Sequence, residues 1–137
     1  MIVLDTNVVS AVVGDRSDRA IVAWLDAVPE AVCVASITAS ELRLGVALLP
    51  NGRRRDRLGA DIEAMLAEDF ESAVLAFDGA ASEAYAEVVA GRRRLGRPIS
   101  VLDAQVAAIC LSRDAALATR NVRGFDDTGV TVVDPWV

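Results

Sequence analysis

The chain contains no histidine and no lysine. Without histidine there is no Ser-His-Asp triad, no Cys-His dyad, no His-ligated zinc and no haem held by histidine. Without lysine there is no Schiff base and no P-loop lysine. Cysteine is scarce too. Cys33 and Cys110 are the only thiols, too few for a disulfide framework or a four-cysteine zinc site. Both lie in apolar runs and read as buried, reduced side chains, which points to a cytoplasmic protein. Six aromatic residues in all leave little material for a base-stacking platform. No apolar run approaches the roughly 20 residues of a membrane span. The opening stretch, MIVLDTNVVSAVVGD, lacks a basic leader and breaks its apolar runs at Asp5 and Asn7, so neither a signal peptide nor a membrane anchor is expected.

What remains for chemistry is carboxylate, hydroxyl, amide and arginine. At 137 residues, 53% apolar and 25% charged, the chain reads as one globular domain over residues 1–137. Its net charge of −6 argues against a passive nucleic-acid coat, which needs a basic surface to displace counterions. The positive charge is clustered at Arg53, Arg54, Arg55 and Arg57 and again at Arg92, Arg93, Arg94 and Arg97. Such runs are read either as solvated helix ends or as a phosphate-contacting rim.

Strand and helix signals alternate along the chain, which predicts a parallel sheet covered on both faces. Ile2, Val3 and Leu4 form the short continuous apolar run of a buried parallel strand. Further strands are expected at Val32 to Ala35, at Val74, Leu75 and Phe77, at Ala116 to Thr119 and at Thr131 to Val133. Helical spacing of apolar residues predicts helices over 17–28, 39–49, 53–69, 79–94 and 101–112. The expected architecture is a three-layer α/β/α fold around a central parallel sheet of about five strands. In such sheets, sites form beyond the carboxyl ends of the strands, near the topological switch point.

Three acids stand after or near expected strand ends: Asp5, Glu41 and Asp103. If they converge on one edge, their mutual repulsion calls for a divalent cation, and an all-oxygen donor set favours Mg²⁺ or Mn²⁺. A plainer reading makes each a helix-start residue. Thr38 to Glu41 has the T-x-x-E form of a capping box, Ser100 to Asp103 has the same S-x-x-acid spacing, and Asp5 precedes a possible helix. The two readings are compatible, because a helix start places a carboxylate rigidly at the sheet edge. Leu4-Asp5-Thr6-Asn7 carries more information. A carboxylate, a hydroxyl and an amide in succession after a buried strand point to a site, with Asp5 a metal ligand, Thr6 orienting it or a water, and Asn7 fixing the turn.

These segments together resemble the PIN domain family. The likeness rests on the strand ending in L-D-T-N (Leu4 to Asn7), on S-x-x-x-x-E-L (Ser36 to Leu42), on the L-D-A-Q helix start (Leu102 to Gln105) and on T-R-N-x-x-x-F (Thr119 to Phe125) before a final strand and Asp134-Pro135-Trp136. Small chains of this kind resemble VapC-type toxins of prokaryotic toxin–antitoxin pairs, and the tail resembles the FitB-like branch.

The resemblance implies a Mg²⁺- or Mn²⁺-dependent endoribonuclease. Asp5, Glu41 and Asp103 match the family's three central acids, with Ser36 and Asn121 in support. The family often adds a fourth acid near the T-R-N segment. Here Asn121 stands there and Gly124 occupies a place where Asp is common, leaving Asp126 as a candidate substitute or an ordinary loop acid. The implied reaction is in-line attack on an RNA phosphodiester by metal-activated water, leaving 5′-phosphate and 3′-hydroxyl ends. Arg43, Arg92, Arg93, Arg94, Arg97 and Arg120 are candidate RNA contacts. The implied partners are a small antitoxin protein and a second copy of the chain in a homodimer.

Other readings differ in class. A haloacid-dehalogenase-like hydrolase needs a second Asp where Asn7 stands, and it and a response-regulator receiver both need a lysine. A non-catalytic PIN-like binding or assembly module would bind no metal. A nuclease acting on DNA is the remaining variant.

Overall fold

The computed structural model describes residues 1–69 and 74–137. Five short parallel strands form one sheet: β1 (Ile2–Leu4), β2 (Val32–Ala35), β3 (Val74–Leu75), β4 (Ala116–Ala118) and β5 (Val132–Val133), in the order β3-β2-β1-β4-β5. The central strand β1 pairs on one side with β2 (Val3 opposite Cys33) and on the other with β4 (Val3 opposite Leu117). The chain thus builds outward from β1 to β3, then returns to β1's other side. That reversal puts the topological switch point between β1 and β4, the place where open α/β sheets form their sites at the carboxyl edge.

Six α-helices lie among the described residues: α1 (Thr6–Val12), α2 (Arg19–Ala27), α3 (Ser36–Ala47), α4 (Arg53–Ala64), α5 (Gly79–Arg94) and α6 (Val101–Ser112). A π-turn (Met65–Asp69) extends α4, and a 3₁₀ turn (Val122–Phe125) follows β4. The alternation of side chains along β1 divides the core. Ile2 and Leu4 face Val8, Val9, Ile21, Leu42 and Ile62 from the α1–α4 side. Val3 faces Leu75, Val88, Val106, Ile109 and Phe125 from the α5–α6 side. The result is the expected three-layer α/β/α architecture.

Two local expectations are corrected. Phe77 lies outside β3, packed edge-on against Tyr85 with ring centroids 5.9 Å apart. α3 begins at Ser36, directly off β2, so Thr38 and Glu41 are helix-interior residues and form no capping box. Ala35 occupies the cap position without a side-chain bond, and Ser40 Oγ donates to the Ser36 carbonyl at 3.0 Å. The cap expectations for the other two acids hold. Asp5 caps α1 by accepting from Thr6 N, and Ser100 caps α6 by accepting from Asp103 N at 3.2 Å.

Candidate active site

Asp5 follows β1 at the switch point and is only 8% exposed. A buried carboxylate needs donors on both oxygens. Oδ1 accepts from the Thr6 backbone N–H at 2.9 Å. Oδ2 accepts from Thr119 Oγ1 at 2.7 Å and from Asn7 Nδ2 at 3.4 Å. Thr119 is the first residue after β4 and is fully buried. Its hydroxyl donates to Asp5 and accepts from Asn7 Nδ2 at 3.1 Å and from Asn121 N at 3.0 Å, which exhausts its one donor and two acceptor sites. Asn7 closes the ring, its Oδ1 accepting from Arg120 N at 3.2 Å. The β1 and β4 ends are thereby locked together by side chains as well as by the ladder.

Two further acids border this ring. Thr6 Oγ1 donates to Glu41 Oε1 at 3.2 Å, tying the middle of α3 to the start of α1. Asp103, in the first turn of α6, is half-buried. Burial pushes its carboxyl above the ordinary value, a contact with Ser100 opposes this, the negative charge of Asp5 pushes further up, and Arg92 pulls down. The charge of Asp5 is thus felt at Asp103.

Residues 2–130 match the PIN domain family. The chain belongs to the PIN domain family. Among its relatives, the VapC ribonuclease Y4jK of Sinorhizobium fredii is 36% identical over 137 residues, covering 99% of this chain and 98% of that one. Toxin FitB of Neisseria gonorrhoeae is likewise 36% identical over 137 residues, with 99% of both chains covered. In the structure of FitAB bound to an IR36 DNA fragment, one chain superposes with a TM-score of 0.92 at 35% identity, covering 100% of this chain and 96% of that one.

In this PIN domain the sequence-derived candidates separate. Asp5, Thr6, Asn7, Glu41 and Asn121 join one hydrogen-bonded network, and Asp103 couples to it through charge. Asn121 contributes its backbone N–H, while its side chain folds over Gly124, where a Cβ would run into the Asn121 amide. Asp126 lies apart, 3.5 Å from Arg97, which also pairs with Asp127 at 2.7 Å. Ser36 opens α3 and serves it through its carbonyl.

The arginines divide as well. Arg43 pairs with Glu63 across α3 and α4 at 2.7 Å. Arg93 and Arg94 are exposed. Arg92 is neither a solvated helix end nor part of an open phosphate-contacting rim, being only 6% exposed. Its guanidinium donates to the carbonyls of Arg97, Gly124 and Asp126 at 2.6, 3.0 and 2.9 Å, fastening the end of α5 to the loop before β5. Arg120 is exposed, with its guanidinium 4.0 Å from the Trp136 ring centroid.

No group of three or more His, Cys, Asp or Glu among the described residues is arranged to hold a metal ion. Glu41 joins the ring through Thr6, and Asp5 and Asp103 are coupled through charge. That pair suits Mg²⁺, which keeps several waters and takes one or two carboxylates rather than a complete protein cage. Zinc lacks donors here. Cys33 and Cys110 are buried in the core, and burial pushes the Cys110 thiol up to about 12.

Thr119 opens the T-R-N segment, and the sequence alone assigned it no role at the site. Its signal was position: a hydroxyl directly after a buried strand, matching Asp5 after β1.

Proposed function

We propose that this PIN domain is a Mg²⁺- or Mn²⁺-dependent endoribonuclease and the toxin of a toxin–antitoxin pair. The observation that carries the reading is the ring around Asp5. A buried carboxylate is oriented by Thr6, Asn7 and Thr119 at the sheet's switch point, with Asp103 repelling it. The names of two full-length relatives, a VapC ribonuclease and Toxin FitB, support the activity and the biological class.

Asp5 and Asp103 are the residues that would hold the cation. The chemistry such a cation supplies is polarisation of a phosphodiester and acidification of water. Thr119 and Asn7 keep Asp5 in one rotamer, so the ligand geometry exists before substrate arrives. Ser100 fixes the start of α6 and with it the backbone of Asp103. Glu41, which Thr6 holds through Oε1, would be the carboxylate to take up the proton released by the water. Recognition rests on RNA shape and phosphate contacts, since the chain offers few rings for base stacking. A small antitoxin protein and a second copy of the chain complete the proposed assembly, in the cytoplasm. No helix among the described residues is long and apolar enough to cross a membrane.

A second reading, a non-catalytic binding module, is favoured by the lack of a ready-made three-acid group among the described residues. Both are tested by cleavage of total RNA by the purified chain in Mg²⁺ or Mn²⁺ and in EDTA, beside Asp5→Asn. Discrete cuts that need metal and disappear in the variant are expected. Absence of cuts together with no metal-induced rise in Tm would favour the binding module.

A further inference from the structure

The proposed active site is acidic, yet a phosphodiester must come to rest beside it. Several arginines already have partners. Arg43, Arg57, Arg97 and Arg113 pair with carboxylates, and Arg92 is buried against carbonyls. Arg120 differs. Its backbone N–H belongs to the Asp5 ring through Asn7 Oδ1 at 3.2 Å. Among the described residues, no carboxylate lies within 4.0 Å of its guanidinium. Instead it rests on the indole of Trp136, 4.0 Å from the ring centroid.

Trp136 is itself held in place. Thr119 N donates to the Val133 carbonyl at 2.9 Å, so the end of β5 is registered on the end of β4. Asp134 Oδ1 accepts from Trp136 N at 2.9 Å, which turns the last residues back. The indole Nε1–H donates to Asp18 Oδ2 at 3.2 Å, while Asp18 Oδ1 caps α2 through Ala20 N and Ile21 N. Three separated segments therefore fix one aromatic face beneath one cation.

A guanidinium held over a ring by cation–π attraction, with no carboxylate within 4.0 Å, keeps N–H donors available for the bidentate grip on phosphate. This position also keeps the cation off nearby carboxylates, where an ion pair would occupy those donors. We propose that Arg120 is the substrate-phosphate contact of this site, and that Trp136, anchored by Asp18, is its positioning residue. This assignment rests on the ribonuclease reading above.

The test is initial-rate cleavage of bulk tRNA by the full chain in Mg²⁺ across a series of KCl concentrations. The parent is compared with Arg120→Ala, Arg120→Lys, Trp136→Ala and Trp136→Phe, with the Tm of each recorded. Arg120→Ala is expected to raise KM roughly tenfold with kcat within about twofold, and to lower the slope of log KM against log [KCl] by about 0.7, the value of one lost phosphate contact on a single strand. Arg120→Lys restores the slope and only part of the KM, because charge survives and the planar fork does not. Trp136→Ala raises KM in the same direction, and Trp136→Phe, which keeps a ring to stack on, recovers most of it. If Trp136→Ala does not fold, the Phe and Arg120 variants still decide. A KM and salt slope unchanged in Arg120→Ala would overturn the assignment, as would a loss confined to kcat. A parent chain that cleaves no RNA overturns the ribonuclease reading, and this assignment falls with it.

Discussion

Thr119 Oγ1 donates to Asp5 Oδ2 at 2.7 Å, joining residues 114 positions apart in the sequence. The bond is buried and spans the switch point between β1 and β4. It makes the rotamer of the central carboxylate a property of the sheet rather than of the loop after β1. Thr119→Val keeps the shape and removes the hydroxyl, leaving Asp5, Asn7 and Asn121 without their common partner. A loss of roughly 1–3 kcal/mol in urea unfolding is expected, the cost of stranding buried polar groups. Metal-stimulated cleavage is expected to fall about tenfold or more, and Thr119→Ser to retain most of both. An unchanged unfolding midpoint for Thr119→Val would contradict the role.

Asp103 sets a pH dependence. Burial first, and then the charge of Asp5, raise its carboxyl above the ordinary 3.8, against the pulls of Ser100 and Arg92. The folded chain therefore holds that proton to higher pH than the unfolded chain. The stability linked to it is complete below 3.8 and is lost as the pH rises through the raised value. Asp103→Asn removes this loss. In EDTA at neutral pH the variant is expected to melt about 2–4 °C above the parent, the effect of a free-energy change near or below about 1 kcal/mol in a chain of this size. The gap closes as the pH is lowered towards 3.8. Added Mn²⁺ should raise the parent's Tm and leave that of Asp103→Asn unmoved; an equal rise in both would remove Asp103 from the ligand set.

Arg92 is a structural tie, and its variants should behave so. Arg92→Ala leaves the carbonyls of Arg97, Gly124 and Asp126 without their shared donor. Since hydrogen bonds to a charged group are worth about 1.5–3 kcal/mol each, a loss of about 3 kcal/mol or more is expected in chemical denaturation. Arg92→Lys recovers part, because one ammonium cannot reproduce the spread of the fork. Below the melting transition, cleavage per folded molecule should match the parent. A variant that unfolds with the parent but loses RNA binding would return Arg92 to the rim.

Thr38 offers a stabilising change. Its Oγ1 is buried inside α3 without a hydrogen-bond partner among the described residues. Thr38→Val keeps the branched shape and replaces the stranded hydroxyl with a methyl group. A gain of about 1 kcal/mol in urea unfolding is expected. A loss of similar size would mean that the hydroxyl has a partner in solution.

Much of the framework was legible because it is written locally. The apolar run Ile2 to Leu4 and the helical spacing over 101–112 appear as β1 and α6 with the expected bounds. Ser100 is the cap its spacing indicates. Local signals misled where a neighbour changed the boundary. Thr38 to Glu41 has the form of a helix start, but β2 runs straight into α3 at Ser36 and the helix is already under way.

The sequence by itself determined the layered α/β/α plan, the restriction to oxygen ligands and the acids worth watching. Apolar periodicity and residue inventory are properties of short stretches, readable without knowing what lies opposite. Tertiary structure alone decided which groups meet: Thr119 on Asp5, Glu41 on Thr6, Arg120 on Trp136, and Arg92 withdrawn from solvent. Those pairings span from 16 to more than 100 residues of chain. They exist because parallel strands bring distant segments to one edge, where each buried polar group takes the partner that the sheet sets beside it.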